Sequence, residues 1–289
     1  PVYAYNKKSE VEDIFSALVL GTQDYISKNG FSKAVLGLSG GIDSALTAVV
    51  ASKALGAKNV IGVLMPSPHS SEGSVQDSLS LAKNLGIQTL ILPIEKAMKA
   101  YDQILGKVFK GTDSDLAEEN IQARIRGNLL MALSNKNGWM VLATGNKSEF
   151  SVGYCTLYGD MAGGFAVIKD VPKIWVYKIS HWVNSKKEII PESILTKAPS
   201  AELRPDQKDT DTLPPYDLLD PILLKYIEED KSVGKIKVSG LSTADIKRVA
   251  NLVDASEYKR RQGPPGVKIT PKAFGKDRRL PITTNSRSK

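Results

Sequence analysis

Across the first half of the chain, short apolar runs alternate with longer segments of helical spacing, and this order admits few folds. The runs are KAVLGLS (33–39), NVIGVLMPS (59–67), QTLILPI (88–94) and WMVLATG (139–145). None shows the strict apolar–polar alternation of a half-solvated strand, so each predicts a strand buried on both faces. Around and between them, apolar residues three and four apart predict helices over 11–30, 44–55, 75–86, 95–105 and 115–136. Such alternation builds a parallel sheet covered by helices on both sides, a doubly wound, Rossmann-like α/β fold.

Beyond Phe150 the pattern changes. Residues 151–173 are glycine-rich and aromatic without a period, and a loop of that length inside a compact domain serves function or lacks order. Helices return at 174–186, 217–230 and 242–262. The proline-rich, polar stretch 197–216 between them is predicted to be mobile. The 289 residues are expected to form one domain over 1–289, with extra C-terminal helices and a basic tail over 259–289.

Composition narrows the chemistry. A single Cys155 excludes an internal disulfide, and with two histidines, His69 and His181, it leaves no Cys/His zinc site. No stretch approaches the roughly 18 apolar residues of a membrane span, and the first residues lack the apolar core of a secretory leader. A cytoplasmic location with no membrane partner is the expectation. The net charge of +8 suggests nucleic acid at first, but the tail 259–289 carries ten Lys/Arg against Asp277 alone, leaving the rest near neutral. That tail is read as solvated and as a source of charge for a small anionic substrate, with no nucleic-acid partner.

The stretch LGLSGGIDSALTAVV (36–50) carries the chemical signal. A strand delivers Gly37, Leu38, Ser39, Gly40 and Gly41 to the carboxyl edge of the sheet, and a helix opens at Ile42. Backbone N–H groups and the helix dipole there suit an anion, and glycines admit a phosphate to the backbone. Ser39 and Ser44 add hydroxyls. The lysine of the familiar G-x-x-x-x-G-K-[ST] loop is missing. Asp43 sits where it would repel a phosphate unless a cation lay between them, and magnesium fits that need.

SGGIDS is similar to the loop of the ATP pyrophosphatase family, which cleaves ATP between its α- and β-phosphates. Within that family, four further blocks resemble NAD synthetases: 118–135, 143–173, 190–209 and 255–282. They look most like the synthetase half of the glutamine-dependent enzyme, whose N-terminal glutaminase half is expected to be absent from this chain. The resemblance implies amidation of deamido-NAD to NAD, with ATP as co-substrate and magnesium as cofactor, through an adenylated intermediate. Ammonia would arrive free or from an attached or separate glutaminase domain, and a homodimer is implied.

The same resemblance implies roles for individual residues. Asp43 and Glu149 would hold magnesium, and together with Lys173 would act in catalysis. Gly37 to Ser44, Thr144, Lys173 and Ser200 would contact ATP. Asn120, Arg124, Glu149, Tyr258 and Lys259 would contact deamido-NAD. Of two arginines on the helix 115–136, Arg124 is read as the ligand and Arg126 as the solvated one. Side-chain roles in 154–165 stay open. A tRNA-modifying synthetase and a nucleotide-binding module without turnover are the competing readings.

Overall fold

The computed structural model describes residues 9–283, so the ends of the expected domain and of its basic tail lie outside the described residues. Five strands form one parallel sheet in the order β3-β2-β1-β4-β5: β1 is Ala34–Gly37, β2 Val60–Leu64, β3 Gln88–Ile91, β4 Met140–Ala143 and β5 Phe165–Ala166. Register pairs Leu36 with Gly62, Val35 with Val141, and Leu142 with Phe165.

The continuous apolar runs are explained by two-sided burial. Ala34, Leu36, Val60, Leu64, Met140 and Leu142 join one core, and the intervening Val35, Ile61, Val63 and Val141 join the other. The first core is covered by α1 (Glu10–Lys28), α2 (Ile42–Leu55), α3 (Glu72–Leu85) and α7 (Lys173–Asn184). The second is covered by α4 (Glu95–Leu105) and α5 (Leu116–Asn137). α2 is buried against both the sheet and neighbouring helices, which is why it is small and apolar nearly all round, and its buried Thr47 hydroxyl donates to Asp43 O at 2.8 Å. Strand order runs outward in opposite directions from β1 and β4, so the crevice beyond their carboxyl ends is the topological switch point where open α/β sheets take ligands.

The later elements are α6 (Lys147–Val152), α8 (Glu192–Thr196), α9 (Tyr216–Leu223), α10 (Thr243–Ala255) and α11 (Glu257–Arg260). Val152 of α6 joins residues of α9 and α10 in a third, smaller apolar core. Among the described residues, no helix is long and apolar enough to cross a membrane.

Several expectations are corrected. The predicted loop 151–173 contains β5, and the predicted helix 217–230 becomes α9 followed by a wider turn through Leu224–Glu228. Pro221 inside α9 lacks an N–H, which disturbs the regular ladder. The predicted helix 242–262 is two helices joined at Ser256, which leaves helical geometry. The stretch 197–216, expected to be mobile, is pinned by Gln122 Nε2 donating to Leu203 O at 2.8 Å and by three hydrogen bonds onto Glu202 from Ser71 and Ser74. The described part of the basic tail is largely paired: Arg260 is buried against Glu257, Lys268 meets Asp277, and Lys272 and Arg278 meet Asp230.

Candidate active site

A cavity of about 290 Å³ opens at the switch point. Its floor is the turn from β1 into α2. Gly40 adopts φ +76°, and a Cβ there would lie 2.5 Å from the Ser74 carbonyl oxygen, so only glycine fits. The turn is braced from within: Ser44 Oγ donates to Gly41 O at 2.9 Å, and Gly41 N donates to Ser39 Oγ at 3.3 Å. Ser44 is therefore committed to holding the turn, whereas Ser39 is exposed. Gly37, Leu38, Ser39, Gly40, Gly41, Ile42, Asp43 and Ser44 all line the cavity, and Thr144 and Ser200 line its walls.

Three charged side chains from three elements converge at one end. Asp43 lies in the first turn of α2, Glu149 in the first turn of α6, and Lys173 begins α7. The Lys173 ammonium makes a short ion pair with Asp43 Oδ2 and stands 3.4 Å from Glu149 Oε1. Lys173 is 2% exposed, while both carboxylates keep 18% exposure toward the cavity. Asn146 aligns the pair. It caps α6 by accepting from Glu149 N at 3.0 Å, and its Nδ2 donates to Asp43 Oδ1 at 2.8 Å. Glu149 is a helix-start carboxylate and lines the cavity as well.

Electrostatics follow from burial and this crowding. Burial pulls the Lys173 ammonium downward, but Asp43 and Glu149 outweigh it and hold it above its ordinary value. Burial and the Asp43 charge push the Glu149 carboxyl up to about 8, against the pull of Lys173. Once Glu149 gives up its proton, two carboxylates and one ammonium carry one negative charge in excess, which a further cation would neutralise. Hard carboxylate oxygens opening on one cavity, with room for water and phosphate oxygens, are donors that suit magnesium. Among the described residues, no group of three or more His, Cys, Asp or Glu could hold a metal on protein ligands alone.

The cavity also has residues that the sequence reading passed over. Arg126, expected to be solvated, lines the cavity beside Met65, whose carbonyl accepts from its Nε at 3.0 Å. Burial pulls its guanidinium down to about 10, and nearby Glu202 only partly offsets this. It forms no ion pair among the described residues, unlike the buried cations Lys147, Lys173 and Arg260. Asp209, 5% exposed, accepts from Tyr216 Oη at 2.8 Å and also faces the cavity.

Asn120, Arg124, Tyr258 and Lys259 do not line this cavity. Three of them hold the loop behind it. Asn120 Oδ1 accepts from Thr156 Oγ1 at 2.7 Å, Arg124 Nε donates to Leu157 O at 3.2 Å, and Lys259 Nζ donates to Gly153 O and Cys155 O at 2.8 and 2.7 Å. Tyr258 is 48% exposed beside them. The segment 153–162 is thus shared: Tyr154, Cys155 and Gly159 to Ala162 line the cavity, while Gly153, Cys155, Thr156 and Leu157 bond to Lys259, Asn120 and Arg124.

Comparison with known proteins gives the family of the chain. A family profile described as NAD synthase matches residues 14–263. The chain is 56% identical over 273 residues to a glutamine-dependent NAD(+) synthetase of Synechocystis sp., covering 94% of this chain and 49% of that protein. A glutamine-dependent NAD+ synthetase from Acinetobacter baumannii, solved with adenosine diphosphate, superposes with a TM-score of 0.67 at 45% identity, over 97% of this chain and 51% of that one. An NMN synthetase from Francisella tularensis superposes with a TM-score of 0.75 at 27% identity, over 88% of this chain and 97% of that one. The chain spans about half the length of the curated relatives it matches.

Proposed function

The chain belongs to the NAD synthase family, and we propose that it amidates deamido-NAD to NAD with ATP and ammonia. The observation that carries this reading is the Asp43–Lys173–Glu149 cluster beside a lysine-free glycine turn at one cavity. Such a turn suits the pyrophosphate end of ATP, which leaves the α-phosphorus toward the open side. A carboxylate oxygen of the nicotinate ring attacks that phosphorus and expels pyrophosphate, giving an acyl adenylate. Ammonia then attacks the acyl carbon, loses a proton, and expels AMP.

Each residue has work in this scheme. The amides of Ser39 to Ser44 and the α2 dipole take phosphate charge. Thr144 and Ser200, on the cavity walls, contact the nucleotide. Lys173 supplies the positive charge that the turn lacks, and its two carboxylate partners keep it protonated. Asp43 and Glu149 would hold magnesium, which when bound neutralises the anionic groups that must approach one another. Asn120, Arg124, Tyr258 and Lys259 border the open surface behind the 153–158 loop, which suits the longer dinucleotide; Arg124 offers it a guanidinium fork.

Relatives about twice as long supply the reason to expect a glutaminase as one source of ammonia, with free ammonium the other. Exposed apolar side chains at Ile91, Tyr101, Ile104, Val108 and Leu116 support self-association into a homodimer. Ion pairing through the described basic tail leaves little charge for nucleic acid. The test incubates the chain with ATP, magnesium, ammonium and either deamido-NAD or its mononucleotide half. NAD and pyrophosphate should form together, be lost on chelation, and require the dinucleotide. Product from neither acid would refute the reading, and product from the mononucleotide alone would replace its substrate.

A further inference from the structure

The first turn of α7 presents an unusual problem. Its N-cap is Pro172, which has no side chain able to cap, yet the helix begins with Lys173 at the centre of the site. Its first two N–H groups, one buried and one partly buried, must be satisfied from elsewhere. Lys173 N donates to Ser148 Oγ at 2.9 Å, and Ile174 N donates to Asp220 Oδ2 at 2.9 Å. Ser148 Oγ in turn donates to Asp220 Oδ1 at 2.5 Å. Ser148 is fully buried and Asp220 is 7% exposed.

These three bonds join three helices at one point. Ser148 belongs to α6 and immediately precedes Glu149; Asp220 belongs to α9, in the small C-terminal core. One carboxylate therefore ties the start of the helix bearing Glu149 to the start of the helix bearing Lys173. A negative charge at the start of α7 also suits that helix's dipole. Lys147, the residue before Ser148, fixes the other side of α6: its Nζ meets Glu228 at 2.8 Å and Asp170 at 3.0 Å.

We propose that Asp220 is a positioning residue for the site, acting through Ser148 to set the Lys173 ammonium against Asp43 and Glu149. The C-terminal helices then serve as a mount for the reacting centre. The inference rests on the proposed amidation for its kinetic test, and on a spectroscopic readout for a test that does not depend on it.

Asp220→Asn keeps the size of the side chain but offers one acceptor where two bonds are now received; Ser148→Ala removes the link together with the acceptor of Lys173 N, leaves the bond from Ile174 N to Asp220, and serves if Asp220→Asn fails to fold. Each should lower kcat by about ten- to a hundredfold, as misplacement of a reacting group does, while KM for ATP changes little. In a Lys173→Gln background the same changes should cost less than about twofold, because the residue they act through is gone. The Lys173 Nζ resonance of lysine-labelled protein should shift in both variants, with or without turnover. Equal losses in both backgrounds, or unchanged kcat, would overturn the proposal. If wild-type protein makes no NAD, the amidation reading fails, and an unmoved Lys173 resonance would still overturn this one.

Discussion

Replacing Lys173 by methionine removes one charge and almost no volume, so it isolates what the ammonium does. In the wild type it is 2% exposed and paired with two carboxylates that are each 18% exposed. Breaking a buried ion pair costs about 3–5 kcal/mol when the surviving charge is sealed in. Here both survivors open on the cavity and Glu149 takes up a proton readily, which puts the stability loss toward ~2–3 kcal/mol. For a chain of this size that lowers Tm by about 5 °C.

The pH dependence has a definite sign. The Glu149 carboxyl stands at about 8 in the fold, above its ordinary 4.5. The folded protein thus holds a proton that the unfolded chain has lost, and ligand-free stability falls as pH rises between those values, by at most about 1.4 kcal/mol per unit. Without Lys173 the carboxyl rises further, so in Lys173→Met the decline should continue beyond pH 8. Turnover should fall by about two to three orders of magnitude, as when one preorganised charge is removed from a transition state. Melting curves across pH and pyrophosphate release give both numbers. A variant with turnover within about threefold of wild type, or with the same pH slope above 8, would refute the reasoning.

Other perturbations separate the parts of the site. Gly40→Ala should abolish the rise in Tm that ATP causes, since its Cβ would strike the Ser74 carbonyl at 2.5 Å. Gly30→Ala has a similar φ of +80° with nothing within 4 Å and should cost only ~1–2 kcal/mol of stability with turnover intact. Equal effects from the two would remove the steric argument. Arg126→Gln should raise KM for ATP by about tenfold, the worth of one charge-assisted hydrogen bond, while leaving KM for ammonium unchanged; an unchanged KM for ATP would return Arg126 to a structural role. Burial pushes the Cys155 thiol up to about 12, so native protein should resist iodoacetamide at pH 8 and react only when unfolded. Rapid native labelling would contradict that environment.

What was legible in the sequence was periodic or locally bonded. The runs at 33–39 and 59–67 announce buried strands because sheet burial on both faces leaves no polar position. The Ser39–Ser44 turn is legible because its glycines and hydroxyls satisfy one another locally. The two-residue β5 was not legible: it exists because Leu142 and Ala143 offer an edge to pair with, and nothing within 151–173 says so. Arg126 was read as solvated because α5 carries polar residues around much of its surface. Only packing against Met65 on one side and Leu157 on the other decides which arginine enters the cavity. The Ser148–Asp220 link spans 72 positions and joins a serine and an aspartate that are unremarkable alone. The solvated reading of the basic tail failed for a related reason, since Asp230 and Glu257 lie outside it.

In the proposed reaction a carboxylate attacks the α-phosphorus of ATP at this cavity, and the fate of its two oxygens decides whether it does. Deamido-NAD labelled with oxygen-18 in its carboxylate, turned over with ATP, magnesium and ammonium, should pass one labelled oxygen to each AMP. The other should remain in the amide of NAD, with pyrophosphate unlabelled. Label found in pyrophosphate or inorganic phosphate, or AMP formed without label, would contradict the account.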